Sequence, residues 1–154
     1  MLQLWLFLHI LGAIVAFGFG FYAPIFGMMV AKEPQHGNWY MRAAKRLSNV
    51  VLIPVAISMA ITGTLLVIET GGMRRFEELW LTVGVIIYVI ALLVVFLLQR
   101  PALNKVIALT AEPPGPEGPP AELAENIRKL QVYGVALLIL VLVILALMVW
   151  KPVL

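Results

Sequence analysis

The feature that most constrains this chain is a set of four long apolar runs, at roughly residues 2–31, 47–68, 79–99 and 132–150. A helix needs about 20 apolar residues to cross about 30 Å of hydrocarbon, and the runs approach or exceed this length. Only helices and closed barrels satisfy every backbone polar group in lipid, and no alternating strand pattern is present. The runs therefore predict an all-α integral membrane protein with a bundle of four transmembrane helices.

The composition agrees with a membrane protein. Charged residues make up 12% of the chain, whereas a soluble domain typically has about 25%, and the mean hydropathy is +1.01. The absence of cysteine excludes disulfides, thiolate metal sites and covalently attached haem. The net charge of +3 does not indicate a nucleic-acid partner, because lysine and arginine in membrane proteins mostly mark the cytoplasmic side.

The chain is predicted to form a single membrane domain over residues 1–154, with helices at about 2–31, 39–69, 79–100 and 122–150. The first run lacks a preceding basic segment and a small-residue cleavage site, so we expect it to be a helix and not a signal peptide. The segment 111–121 contains five prolines and two glycines, which predicts a cytoplasmic linker.

Two residues bear on the second helix. Asn38 follows a turn-like "QHG" and is a candidate N-cap. Pro54 lies inside the helix and is expected to kink it, because proline cannot donate the backbone hydrogen bond.

The charge distribution predicts the orientation. Four spans place both termini and the loop near 69–78 on one side, which carries Arg74, Arg75 and Lys151. The other side carries eight basic residues: Lys32, Arg42, Lys45, Arg46, Arg100, Lys105, Arg128 and Lys129. This asymmetry predicts a multi-pass protein of the bacterial cytoplasmic (inner) membrane with both termini outside.

Aromatic residues at the predicted span ends agree with this orientation. Trp5, Trp80 and Trp150 lie at the outer ends, and Trp39 and Tyr40 lie at the inner boundary. Amphipathic rings are enriched at the level of the lipid headgroups.

The first span, "LWLFLHILGAIVAFGFGFYAP", carries a histidine, His9. An ionisable residue inside the membrane is costly and usually faces the bundle interior or a cavity. Gly12, Ala16 and Gly20 share its helical face and form a stripe of small residues. Such a stripe allows close helix packing and also leaves room for a flat cofactor beside the imidazole. The pattern predicts that His9 faces protein and not lipid.

Two interpretations of His9 remain open at this point. In the first, a neutral imidazole hydrogen-bonds across the bundle to a carbonyl or a hydroxyl, such as that of Thr82. In the second, His9 is an axial ligand of haem iron, with Met148 as the second ligand because it lies near the outer end of the fourth span. Met59 is a poorer match in depth, and His36 is expected to be a solvated loop residue.

Other polar residues have simpler expected roles. Arg74, Arg75 and Lys151 lie on the outer side, where they would meet the propionates of a haem near His9. Hydroxyl residues of the second span are expected to bond back to carbonyls of their own helix; these residues are Ser58, Thr62 and Thr64. A basic face on the second helix is expected to reach anionic headgroups; it consists of Arg42, Lys45, Arg46 and Asn49.

Four short motifs resemble those of a bacterial family of four-helix membrane proteins within the CopD-like group. The motifs are "HxxG" from His9, Pro54 with Thr62-Gly63, "RPAL" at 100–103 and "MVWKP" at 148–152. The chain is also distantly similar to HemJ-type protoporphyrinogen oxidases. This resemblance implies that His9 ligates haem b and that Met148 or its neighbourhood lies on the opposite side.

The leading functional expectation is therefore a haem b protein of electron transfer or oxidoreductase type, which exchanges electrons with a quinone or a membrane redox partner. The first alternative is copper handling of the CopD kind, with His9 and methionines as ligands. The second is an accessory subunit of a larger membrane complex or a homo-oligomer. No paired carboxylates, nucleophilic triad or zinc-ligand set indicates a catalytic centre.

Overall fold

The computed structural model describes residues 1–72, 77–112 and 118–151, and over these ranges all regular structure is helical. The α-helices are α1 (Leu2–Lys32), α2 (Gly37–Leu47), α3 (Ile53–Thr70), α4 (Leu79–Leu93), α5 (Arg100–Leu109) and α6 (Ala121–Trp150). A 3-10 turn (Pro34–His36) precedes α2, and two π-helical segments, Ser48–Leu52 and Val94–Gln99, join α2 to α3 and α4 to α5.

These elements form four membrane spans, as predicted. Four helical stretches are long and apolar enough to cross a bilayer: Leu2–Tyr22, Gly37–Thr70, Leu79–Leu109 and Ala121–Trp150. The third span continues to Leu109, beyond its predicted end near residue 100. The amphipathic helix α5 forms this continuation. At about 1.5 Å per residue the second and third spans exceed the hydrocarbon thickness, so their α2 and α5 ends project beyond it.

A proline follows each π-helical segment, and the two features are related. The N–H of Ile53, just before Pro54, donates to the carbonyl of Ser48. The N–H of Arg100, just before Pro101, donates to the carbonyl of Val95. Both bonds reach five residues back, since proline lacks an N–H and its ring crowds the carbonyl four residues earlier. The structure shows a wide helical turn before Pro54, and the expected kink of the helix stays a prediction.

The helices pack in the order α3, α1, α6, α4 around the bundle. α1 lies against α3 and α6, and α6 lies against α4. Between α3 and α4, which are described in full, no two Cα atoms approach within 8 Å. Tyr88 of α4 spans this wider seam by donating a hydrogen bond to the carbonyl of Ala56 at 2.5 Å.

The α2 and α5 ends of the second and third spans are joined by Asn38. Its amide nitrogen donates to the carbonyl of Ile107 at 2.8 Å and to the hydroxyl of Thr110 at 2.9 Å. The predicted N-cap role of Asn38 is wrong, because α2 begins at Gly37 and makes no side-chain cap bond. The last carbonyls of a helix have no partner within it, and Asn38 satisfies one of them on α5.

The same end of the bundle contains the best-buried of the described side chains, Val106, which is 1% exposed. Ala102, one turn before it on α5, is 6% exposed. Tyr40 is also buried and lies 6.4 Å from the ring of Tyr22, so it packs inside the bundle, whereas Trp39 is exposed. Their predicted place at the inner membrane boundary stays a prediction. Many of the large apolar side chains of the spans are exposed in the isolated chain, as expected of surfaces that meet lipid.

Candidate ligand site at His9

His9 lies on α1 and faces α3. Its Nδ1 atom is 3.0 Å from Oγ1 of Thr62. Thr62 is buried, and its hydroxyl donates to the carbonyl of Ser58 at 2.8 Å. The prediction that His9 faces protein is confirmed, but the expected partner, Thr82, is wrong. Thr82 belongs to α4, whereas α1 packs against α3 and α6.

The hydrogen-bond partners of Thr62 bear on the tautomer of His9. When the single hydroxyl proton of Thr62 donates to the Ser58 carbonyl, its oxygen accepts at the histidine side. In that arrangement His9 Nδ1 carries the ring proton, and the neutral imidazole has its lone pair on Nε2. Nε2 is the atom of His9 that is able to bind a metal or accept another hydrogen bond.

Gly63 provides the space for this contact. A Cβ atom at Gly63 would lie 3.2 Å from Cε1 of His9 and 3.7 Å from its Nδ1. The imidazole therefore packs against the backbone of α3, as close helix packing at small residues allows. The pair Thr62-Gly63 supplies both the acceptor for the ring and the room that the ring occupies.

The stripe of small residues on α1 contacts two neighbouring helices. A Cβ at Gly12 would lie 2.7 Å from Cγ of Met59 on α3. A Cβ at Gly20 would lie 2.9 Å from Cδ1 of Leu138 on α6, and Ala16, between them on the stripe, is partly buried. The stripe was expected to leave room for a flat cofactor. Beside Gly12 and Gly20, the side chains of Met59 and Leu138 occupy that room.

The structure places Met59 closer to His9 than the depth argument predicted. Met59 contacts α1 at Gly12, one helical turn from His9. The terminal methyl of Met148 lies 3.7 Å from the Cβ position of Gly84 on α4. The sequence-based depth of each residue was counted from the end of its own apolar run. That count does not include the register in which the antiparallel helices α1 and α3 pack, and this register brings Met59 close to His9. A ligand role for Met148 stays a prediction.

Lys151, one of the predicted propionate partners, lies at the end of the bundle where α1 begins and α6 ends. Lys151 ends α6 in a left-handed conformation (φ 42°), and its Nζ lies 5.6 Å from the ring centroid of Trp80. Arg74 and Arg75 lie outside the described residues. Trp5 donates to Glu69 at 3.2 Å, which joins the start of α1 to the end of α3 at this same end.

His36 lies far from this site in the chain connection between α1 and α2. Its Nδ1 is 3.0 Å from a carboxylate oxygen of Glu33, and both side chains are exposed. The prediction of a solvated loop histidine is confirmed. In residues 1–72, 77–112 and 118–151, no three His, Cys, Asp or Glu side chains gather as a metal-binding group.

Sequence reasoning missed the role of Thr62 and Gly63 at this site. The expected back-bonds of Thr62 and Thr64 are present, at 2.8 Å to Ser58 and Ala60. The hydroxyl oxygen of Thr62 additionally accepts from His9, which a search within one helix does not reveal. The sequence does contain a signal for this contact. The pair Thr62-Gly63 in one span offers a hydroxyl and free space to the lone histidine of another span.

Comparison with known proteins gives one match. A family model described as "Predicted integral membrane protein (DUF2269)" matches residues 3–152. No curated protein matches the chain, and no solved structure matches it. The match supports an integral membrane family, and the relation to the CopD-like group or to HemJ-type oxidases stays a prediction.

Proposed function

The chain belongs to the DUF2269 family of predicted integral membrane proteins, and from this premise we propose that it binds one haem b with His9 as an axial ligand. The observation that carries the proposal is the hydrogen bond between His9 Nδ1 and Thr62 Oγ1. Metal-ligating histidines almost always donate their other ring N–H to an acceptor, which fixes the tautomer and the ring. With its ring proton on Nδ1, His9 would be held in this way by Thr62 and would offer the Nε2 lone pair to iron.

The proposed role is electron transfer, with a quinone or a membrane redox protein as the exchange partner. A bound haem would supply one-electron chemistry at the redox potential set by its second axial ligand. Met148 is the second ligand that the resemblance to HemJ-type proteins implies, and Lys151, Arg74 and Arg75 are the basic residues proposed for the propionates. The proposal also holds that this chain is related to the CopD-like group.

Copper handling is the second candidate, and the position of Met59 favours it. The Met59 thioether packs at Gly12, one helical turn from His9, with Sδ 3.4 Å from the Cβ position of that glycine. Thioether sulfur is a soft ligand that suits copper(I), and imidazole also binds copper. A site with His9 and Met59 as ligands would lie between α1 and α3.

Absorption spectroscopy of the purified full chain tests the haem proposal. We expect a Soret band and sharp reduced b-type bands in the parent protein, and their loss in His9→Ala. His36→Ala is the matched control, because it removes an exposed imidazole that lies in the loop. A parent protein that stays colourless after incubation with excess haemin would contradict haem binding.

Two methionine variants identify the second ligand and separate haem from copper. Met148→Ala should retain haem and lower its redox potential, because loss of a thioether ligand disfavours ferrous iron. Met59→Leu should leave the spectrum and the potential unchanged. Stoichiometric copper that is lost in both His9→Ala and Met59→Leu would replace the haem proposal with copper handling. A protein that binds neither would favour the accessory-subunit hypothesis.

A further inference from the structure

A polar cluster lies where the second and third spans leave the hydrocarbon, at the end of the bundle opposite the termini. Lys45, Ser48 and Asn49 from the second span and Arg100 and Asn104 from the third line a shallow depression that is open to the surface. The guanidinium of Arg100 donates to the side-chain oxygen of Asn49 at 3.0 Å. This bond holds the two spans together on one edge of the depression.

The charges of the cluster are all positive. Lys45 and Arg100 are both partly buried. No carboxylate oxygen within the described ranges lies within 4 Å of either cation; the ion pairs on α5 and α6 are Lys105–Glu122 and Lys129–Glu125. Two partly buried cations on one depression repel each other, and an anion between them would relieve this repulsion.

The depth of the cluster matches that of phosphate groups in a bilayer. The apolar part of the second span, from Val50 to Ile68, is about 27 Å long at about 1.5 Å per residue, close to the hydrocarbon thickness. Asn49 directly precedes this apolar part. In the third span, Arg100 directly follows the apolar run 79–99. The cluster therefore lies at the headgroup boundary on both spans.

The backbone around the cluster is irregular on both sides. Ser48 and Asn49 belong to the first π-helical segment, and Arg100 directly follows the second. π-helical turns inside α-helices occur frequently at functional sites, since the extra residue changes which side chains face a neighbour. Here the first irregular turn begins with residues of the depression, and the second is followed directly by one.

We infer that this cluster is a binding site for a phosphate-bearing anion. A guanidinium and an ammonium form strong charge-assisted hydrogen bonds with phosphate oxygens, and hydroxyl and amide groups complete such sites. Arg100 and Lys45 would supply the charge, and Ser48 and Asn104 would supply neutral donors. A phospholipid headgroup and a soluble phosphate share this chemistry, and the experiment below distinguishes them.

The test uses the purified full chain and two probes. Native mass spectrometry after reconstitution in mixed phosphatidylglycerol and phosphatidylcholine measures which lipid is retained. Inorganic phosphate, titrated against the lipid-free protein in a zwitterionic detergent, is followed by thermal stability with sodium chloride as the salt control. We expect retention of phosphatidylglycerol over phosphatidylcholine, or a saturable stabilisation by phosphate.

Arg100→Gln and Lys45→Gln should each weaken the observed binding about tenfold or more, because each removes a hydrogen bond to a charged group. Lys45→Gln leaves the Arg100–Asn49 bond in place, so it tests the site even where Arg100→Gln disturbs folding. Arg42→Gln is the matched control, because Arg42 is an exposed cation of the same helix that does not line the depression.

The outcomes are distinct. Retained phosphatidylglycerol that is lost in both site variants supports a lipid headgroup site, whereas saturable phosphate binding lost in both supports a soluble phosphate. Equal weakening by Arg42→Gln would overturn the site in favour of a general surface charge effect. A parent protein that binds neither probe above its control would overturn the proposal altogether.

Discussion

The hydrogen bond between His9 and Thr62 should contribute measurably to the packing of α1 on α3. The two atoms are 3.0 Å apart, and Thr62 is 3% exposed, so water does not readily replace either partner. Hydrogen bonds between transmembrane helices average about 0.6 kcal/mol in double-mutant cycles and reach about 1.7 kcal/mol. The Thr62 hydroxyl also donates onward to Ser58, which strengthens it as an acceptor. We therefore expect a coupling of about 1 kcal/mol.

The assay is reversible unfolding in mixed micelles by dodecyl sulfate, with His9→Leu, Thr62→Val and the double variant. The cycle cancels the loss of the Thr62–Ser58 bond, because that loss occurs whether or not His9 is present. Thr64→Val is the matched control, since Thr64 bonds back to Ala60 at 2.8 Å in the same way but is exposed. A His9–Thr62 coupling no larger than the His9–Thr64 coupling would refute this account of the contact.

Three further predictions concern packing and orientation. Gly20→Leu should destabilise the α1–α6 contact by about 1–3 kcal/mol in the same unfolding assay, because its Cβ would lie 2.9 Å from Leu138. Gly18→Leu, at a position with no other heavy atom within 4 Å of the added Cβ, should change stability little. Asn38→Ala should lower the free energy of unfolding by about 1–3 kcal/mol through loss of two hydrogen bonds, visible as a lower Tm. A protease should cut the linker 111–121 in inverted membrane vesicles and not in intact spheroplasts; cleavage in spheroplasts would contradict the predicted orientation.

The number of spans and their helical nature follow from the sequence alone. Hydrocarbon allows only helices and closed barrels, and long apolar runs without the alternation of barrel strands therefore suffice to predict four helices. The protein-facing position of His9 follows for a similar reason, because an imidazole is costly against lipid. The solvated state of His36 follows from its place in a polar connection. Each of these conclusions depends only on the residues of one segment and on whether lipid or water surrounds it.

The partners of these residues depend on how whole helices pack. Hydropathy gives the depth of His9 in the membrane but does not tell which neighbouring helix faces it. The packing of α1 on α3 makes Thr62 its partner, whereas the sequence suggested Thr82. The same pairing brings Met59 to the His9 region. Asn38 binds α5 and does not cap its own helix, since an unpaired carbonyl on another helix is within its reach. Rotation and register of packed helices arise from contacts summed over all the spans, and no single segment contains that information.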